Sequence, residues 1–537
     1  MVEEWGGATV IRKLAVYNGN IHTMNPAAPQ AEAVGIIEGR IVAVGTNAEV
    51  RDALGGGGES LDARGRTVVP GMIDAHLHFV SLSLDLARVQ LLGVASIGEA
   101  VRRATERAHV SPPDQWIDGG GWNYNFLHDN RWPTKLDLDL HISAHPVAFS
   151  SQDHHSLWVN SRALEAAGIT RETPDPPDGL IMRDADGEPT GILIEGAMRP
   201  VREAIPVPTP QRVGEALRAG MREANRLGLT GVGSMEGPGE LTAWQQLRAR
   251  GGMTLRVYQS IPADFLDQAV ALGLHTGFGD EWLRLGHLKI FSDGALGSRS
   301  ALMLEPYAGE PDNYGIAVRS KENIRDLIRT AAQHGIASCI HAIGDAANRL
   351  LLDIFEEARA DGIGPHLRHR IEHAQVLTPQ DIGRFAQLGV IPSMQPIHCT
   401  SDMFGIDRWW NDRGSFAYVF ETLRRTGAIL AFGSDAPVDN LSPLAGIHAA
   451  VTRQNADGLP EGGWYPAERL SAYHALEAYC AGAAYASGEE MLKGTLEPGK
   501  LGDLVVLSQD ILAIPGPEIL QTQAEATIVG GEVVYGN

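Results

Sequence analysis

The chain has 537 residues, 44% hydrophobic and 20% charged, with a formal net charge of −22. It is longer than one compact domain usually runs, and its composition is that of a globular protein able to bury a large core. An acidic balance without a basic run argues against a nucleic-acid or anionic-membrane partner, and Cys339, Cys399 and Cys480, odd in number and far apart, support neither a disulfide framework nor a cysteine-based zinc site.

The first residues, Met1 to Gly7, lack the basic start and apolar run of a signal peptide, and no apolar stretch is long enough to span a bilayer. A soluble, cytoplasmic protein is expected. From residue 10 to 68 the sequence reads as short strands and tight turns: Lys13–Tyr17, Ala33–Ile37 and Arg40–Gly45, the last two joined by a Glu38-Gly39 hairpin turn. The far end mirrors this with Asp503–Leu507, Ala526–Val529 and Val533–Tyr535. Both ends being β-rich, residues 1–68 and 490–537 are expected to form one composite β-sandwich domain.

The middle, 69–489, alternates strand-like and helix-like segments, the pattern of an α/β fold with parallel strands. Strand candidates lie near residues 73, 147, 232, 257, 287, 338, 370, 391 and 430, with helices over Val213–Arg226, Lys321–Gln333, Ala347–Ala360 and Pro379–Leu388. Nine strands are one too many for an eightfold barrel. The stretch from about 115 to 205 is rich in Pro, Asp and Trp and has little helical periodicity, so the strand near 147 is placed in an insertion between the first and second barrel strands. Such excursions commonly build substrate pockets.

Ile73-Asp74-Ala75-His76-Leu77-His78 carries the strongest chemical signal. In a strand, His76 and His78 project to one side, and two neutral imidazoles held together suit a divalent metal, zinc above all. Later strand ends supply Lys289, His341, His373 and the Gly433-Ser434-Asp435 stretch. Singly, His341 or His373 reads as a core histidine, Lys289 as a snorkelling lysine and Asp435 as a helix N-cap; Glu372 and His287 read as structural residues. At five strand ends opening on one face of a barrel, where active sites sit, the joint pattern favours a metal centre.

The order His-x-His, Lys, His, His, Asp resembles the amidohydrolase superfamily. The surrounding text is similar to its YtcJ-like branch (amidohydrolase family 3), which includes N-substituted formamide deformylase. The stretches that carry the likeness are Gly119-Gly120-Gly121-Trp122, His155–Ser161, Asp184–Gly191, Lys289–Arg299, Arg370–Gln375 and Gly494–Val506. His154 and Asn123 depart from the family's usual Gly and Asp, in the insertion. The resemblance implies a distorted (β/α)8 TIM barrel beside the composite β-domain, with His76, His78, Lys289, His341, His373 and Asp435 around one or two zinc ions or another divalent metal. A free ammonium is a poor ligand; family members with lysine at this place often carry it as a carbamate, an anionic oxygen ligand bridging two metals.

The implied activity is hydrolysis of an amide-type C–N bond of a small molecule, an N-acyl or N-formyl amide. A metal lowers the pKa of a coordinated water to about 7, and Asp435 serves as general acid/base, with Lys289 in the catalytic set. A deaminase or an ester or lactone hydrolase on the same scaffold is the alternative, and a non-catalytic binding relative a further one. Phe79, Trp122, His155, Trp158, Asp293 and Arg299 are the expected substrate-binding residues. The aromatic insertion (Trp116, Trp122, Tyr124, Phe126, Trp132, Trp158) points to an apolar or aromatic N-substituent, and Trp409, Trp410 and Phe416 to a second pocket wall or a homodimer contact.

Overall fold

Eight strands pair in parallel, in sequence order, around a nearly closed barrel: β1 (Met72–Leu77), β2 (Leu229–Ser234), β3 (Arg256–Pro262), β4 (Leu283–Phe291), β5 (Ser338–Ala342), β6 (Arg370–His373), β7 (Ile391–Met394) and β8 (Ala431–Phe432). The computed structural model describes residues 11–86, 88–124, 127–129, 131–151 and 155–536. His154, Phe126 and the first ten residues, read above, lie outside these. The barrel strands are almost wholly buried, which is why they read as continuous apolar runs rather than alternating ones. Helices Lys321–Gln333 and Pro379–Leu388 fall where the sequence puts them; two others start slightly earlier than expected, at Pro210 and Asp345.

The ring closes between β8 and β1 through the residues that carry chemistry. The Asp435 amide donates to the His76 carbonyl (2.7 Å), and the His78 amide donates to the Ala436 carbonyl (2.8 Å). The buried Asp74 carboxylate accepts the Ser434 amide at 3.1 Å on each oxygen. Gly433 permits this approach: a Cβ there would stand 2.6 Å from the His76 nitrogen, closer than any side chain tolerates.

Both ends of the chain build the small β-domain. One sheet runs in the order Arg40–Gly45, Ala33–Ile37, Lys13–Tyr17, Glu59–Asp62. The second joins the two ends of the chain side by side: Glu532–Tyr535, Ala524–Val529 and Leu504–Leu507, then Thr67–Pro70, Asn20–His22 and Gln30–Ala31. Val16, Val34 and Ile36 share one core with Val68, Leu504 and Ile528. Arg256 on β3 ties this domain to the barrel: its guanidinium binds the Asp503 carboxylate in a buried fork (2.5 and 2.8 Å) and donates to the Glu281 carbonyl (2.9 Å).

Residues 81–219 form a compact unit of their own, and the stretch expected as an insertion lies within it. Its sheet has six strands in the order Gly179–Arg183, Pro189–Glu195, Ser156–Val159, Val147–Ser151, Ile117–Trp122, Val89–Gln90. Period-two alternation sends Phe149, Trp158 and Ile192 into one apolar cluster and Ala148, Leu157 and Leu193 into another. Among the described residues no helix is long and apolar enough to cross a membrane.

Candidate metal centre

The C-terminal strand ends converge as a parallel barrel requires. Ligand atoms of His76, His373 and Asp435, all buried, lie within 4.8 Å of one another. His76 and His78 direct their Nε2 atoms at the same Asp435 oxygen, Oδ1, at 3.4 and 3.6 Å. This is the one-sided projection that strand alternation demands. The His341 ring lies 4.6 Å from that of His373, centroid to centroid.

Hydrogen bonds behind the rings fix which nitrogen faces inward. His76 Nδ1–H donates to Glu372 Oε2 (2.6 Å), and Glu372 Oε1 is held by Arg370 Nε (2.7 Å). His373 Nδ1–H donates to Gln395 Oε1 (2.7 Å). Each bond leaves an unprotonated Nε2 pointing into the cluster. His341 is turned the other way: its Nε2–H donates to the Gly294 carbonyl (3.0 Å), leaving Nδ1 as the lone-pair atom. Asp435 Oδ1 is buried and, among the described residues, has no hydrogen-bond donor. A buried carboxylate oxygen facing imidazole lone pairs is costly unless a cation lies between them. Nitrogen and oxygen donors of this kind fit a divalent metal, and zinc in particular.

The electrostatics agree. Burial pushes the His78 imidazole down to about 4, with His76 and Lys289 adding to it and Asp435 opposing. Burial, then Lys289, takes His341 to about 4. His373 is held well below the usual histidine range by burial and by His341. These rings are therefore neutral near pH 7, as ligands must be. Burial works to raise Asp435, but the hydrogen bond from His398, with the nearby His76 and His373 rings adding to it, outweighs burial and keeps the carboxyl well below its ordinary range. Glu372 follows the same pattern, with Arg370 and His76 outweighing burial.

Three non-glycine residues at this rim have left-handed backbones: His373 (φ 71°), Ala374 (φ 42°) and Asp435 (φ 58°). Such conformations persist only where surrounding structure enforces them, and they cluster at functional sites.

The other sequence-predicted residues divide. Lys289 is buried, its Nζ 4.8 Å from the centre of the Phe291 ring, within electrostatic reach of His78, His341 and His373. The Asp293 carboxylate accepts amides of Leu302 (2.9 Å), Ile343 (3.1 Å) and Gly344 (2.9 Å), tying together the loops after β4 and β5. Burial raises it to about 7 against those bonds. Phe79 is buried against Trp244, and Arg299 pairs with Glu310 (2.9 Å) and stacks on Trp409. Trp122 and Trp158 are buried in the core of the 81–219 unit, their indole N–H groups donating to the Phe149 and Thr134 carbonyls. His155 lies at the surface of that unit, paired with Glu195 (2.7 Å). Trp410, expected at a pocket wall or a dimer contact, is fully buried.

Sequence reasoning missed Gln395 and His398. Gln395 follows β7 directly, as the N-cap position of helix Pro396–Trp409, and His398 occupies the first turn of that helix. His398 Nε2 lies 3.3 Å from Asp435 Oδ2 and Nδ1 3.4 Å from Asp439 Oδ2. Burial opposes its protonation, but the bonds to Asp435 and Asp439 prevail and raise it to about 10. The only signal available was a histidine four residues beyond a strand end, which is weak by itself.

The family model "Amidohydrolase family" matches residues 59–535. Protein LONG AFTER FAR-RED 3 of Arabidopsis thaliana is 34% identical over 98% of this chain and 92% of its own length. N-substituted formamide deformylase of Arthrobacter pascens is 30% identical over 98% of this chain and 99% of its own. Among solved structures, an uncharacterized metal-dependent hydrolase of Pyrococcus furiosus superposes with a TM-score of 0.77 at 30% identity, covering 93% of this chain and all of that one. With the barrel, the ligand cluster and these likenesses together, the chain belongs to the amidohydrolase family.

Proposed function

We propose that this protein is a metal-dependent hydrolase that cleaves an amide-type C–N bond, in an N-acyl or N-formyl amide of a small molecule. The observation that carries the reading is the convergence of His76 Nε2 and His78 Nε2 on an Asp435 Oδ1 that lacks a hydrogen-bond donor among the described residues. The 30% identity to N-substituted formamide deformylase over nearly the whole chain supports the choice of bond.

His76, His78, His373 and Asp435 would hold the ion, with His341 offering Nδ1. Lys289, as a carbamate, would add an anionic oxygen and favour a second ion. A bound divalent metal supplies Lewis acidity, lowering the pKa of a coordinated water to about 7 and polarising a carbonyl. The chain's own part is positional and protonic. Glu372 and Gln395 keep the ligand nitrogens of His76 and His373 unprotonated. Asp435, held as the carboxylate, accepts the proton of the attacking water and returns it to the leaving nitrogen. Phe291, half exposed with its ring 5.4 Å from that of His341, offers an apolar face to the N-substituent.

The test is metal content per chain by elemental analysis after preparation with zinc and bicarbonate, beside a His76→Ala/His78→Ala variant, followed by a panel of N-formyl and N-acyl amides. One or two equivalents, lost in the variant together with amide turnover, are expected. A second equivalent that needs bicarbonate and disappears in Lys289→Ala would assign the carbamate. A parent protein that binds no metal and turns over no amide would overturn the reading.

A further inference from the structure

The first turn of helix Pro396–Trp409 places His398 behind Asp435, with its side chain nine-tenths buried. Both ring nitrogens face carboxylates: Nε2 stands 3.3 Å from Asp435 Oδ2 and Nδ1 3.4 Å from Asp439 Oδ2. Asp439 is itself anchored, since its Oδ2 accepts the Ser401 hydroxyl (2.6 Å) and its Oδ1 the Asn440 amide (2.8 Å). The ring is thus braced on the side away from the cluster and grips one of the two Asp435 oxygens.

A carboxylate is planar, so fixing Oδ2 fixes the direction of Oδ1. Here Oδ1 points at His76 Nε2 and His78 Nε2. Glu372 sets the His76 ring and Gln395 the His373 ring in the same manner; Asp435 is the remaining member of the three-residue donor cluster, and its support comes from a helix rather than a strand. We propose that His398, braced by Asp439, is the positioning residue for Asp435, holding the carboxylate so that Oδ1 faces the metal donors. This rests on the metal-site reading above. His398 acts through Asp435 and is not itself assigned a contact with substrate.

The experiment uses Co2+ alone as probe, read by its visible d–d absorption and by titration against a competing chelator, on the full chain and on His398→Leu, His398→Gln and Asp439→Asn. Outer-shell partners of metal ligands typically change affinity about 10–100-fold when removed, so His398→Leu is expected to weaken Co2+ binding by about that factor and to change the spectrum. His398→Gln keeps an N–H donor for Oδ2 and is expected to recover most of the affinity and the parent spectrum. Asp439→Asn, which loosens the brace but leaves the ring, is expected to fall between them.

A melting curve of the metal-free variants separates folding from binding; if His398→Leu fails to fold, the ordering of the Gln and Asn variants decides. A folded His398→Leu with parental affinity and spectrum overturns the proposal while leaving the metal site intact. A Gln variant as impaired as Leu overturns it too, since filling space would then be the whole role. A parent that takes up no Co2+ overturns the metal reading itself, and the proposal with it.

Discussion

Glu372→Gln removes one proton-accepting oxygen from the site and almost no volume. In the native protein both Glu372 oxygens accept, Oε2 from His76 Nδ1–H (2.6 Å) and Oε1 from Arg370 Nε (2.7 Å). Arg370 only donates, so a glutamine must turn its carbonyl oxygen to the guanidinium and its NH2 to His76. The imidazole then has to accept at Nδ1, which moves its proton to Nε2, the atom that faces the cluster. The exchange converts a metal ligand into an N–H donor. Losing the hydrogen-bond partner behind a metal ligand costs about 10–100-fold in metal affinity, or about 1.4–2.7 kcal/mol. At a zinc concentration of about 100 times the parental Kd, metal stabilises the parent by about 2.7 kcal/mol. A 30-fold weaker variant gains only about 0.9 kcal/mol at the same concentration. The measurement is therefore the difference in melting temperature with and without zinc, which cancels any loss of metal-free stability from the weakened buried Arg370 pairing. Side-chain 15N spectra of the histidines report the tautomer directly. A variant whose zinc-induced shift equals the parent's, with His76 still protonated at Nδ1, would refute the reasoning.

Other perturbations test other parts of the molecule. Asp503→Ala strands the Arg256 guanidinium between barrel and β-domain, both partners being almost fully buried; losing one member of a buried pair costs about 3–5 kcal/mol, and a denaturant titration in which the midpoint hardly moves would contradict it. Acidification of the metal-free protein is expected to destabilise it from about pH 6.5 downward. Burial, then His366, lowers His369 to about 4, and its Nδ1 accepts the Ser338 amide (3.1 Å). Because the folded value is depressed, the unfolded chain binds the proton first, so stability is full above the unfolded pKa and declines toward pH 4, by up to about 3 kcal/mol from this group. His369→Phe should flatten part of that slope, and an unchanged slope counts against the assignment. Trp158→Ala empties the centre of the 81–219 core and is expected to cost about 3–5 kcal/mol, seen as early unfolding of that unit by hydrogen exchange; a stable variant with altered substrate choice would instead make Trp158 a pocket residue.

The barrel was legible because its strands are buried on both faces and are bounded by helices of regular period, so each of the eight has its own local signal. His76 and His78 were legible for the same local reason, being two residues apart on a strand. Of the 81–219 sheet only the strand near 147 was legible, and Ile117–Trp122 defies propensity outright. Gly119-Gly120-Gly121 is poor strand sequence, yet it occupies one since a Cβ at Gly119 would stand 2.2 Å from the Val89 carbonyl and one at Gly120 3.0 Å from that of Ser150. Close backbone approach, which only tertiary structure reveals, decides there. The aromatic residues of that unit are ambiguous for the same reason: nothing local distinguishes an indole that donates to a core carbonyl, as Trp122 does, from one that lines a pocket.

The shell behind the ligands was hidden for a further reason. In the sequence Glu372 reads as a structural residue, and it does bind Arg370, two residues away. The partner that gives it meaning is His76, 296 residues earlier in the chain. His398 reaches Asp435 across 37 residues and from a helix rather than a strand end, so the strand-end rule that found the ligands passes over it. Candidate ligands announce themselves because a divalent metal would require a narrow set of donor types, here at strand ends. Their supports can be any acceptor or donor that the fold delivers to the outer nitrogen or second oxygen, so their chemistry is fixed by the ligand's orientation and not by any pattern along the chain. The tautomers of His76 and His373 and the aim of Asp435 Oδ1 are accordingly properties of the closed barrel, set where β6, β7 and the helix after β7 bring Glu372, Gln395 and His398 behind three residues that the sequence alone had already brought to one face.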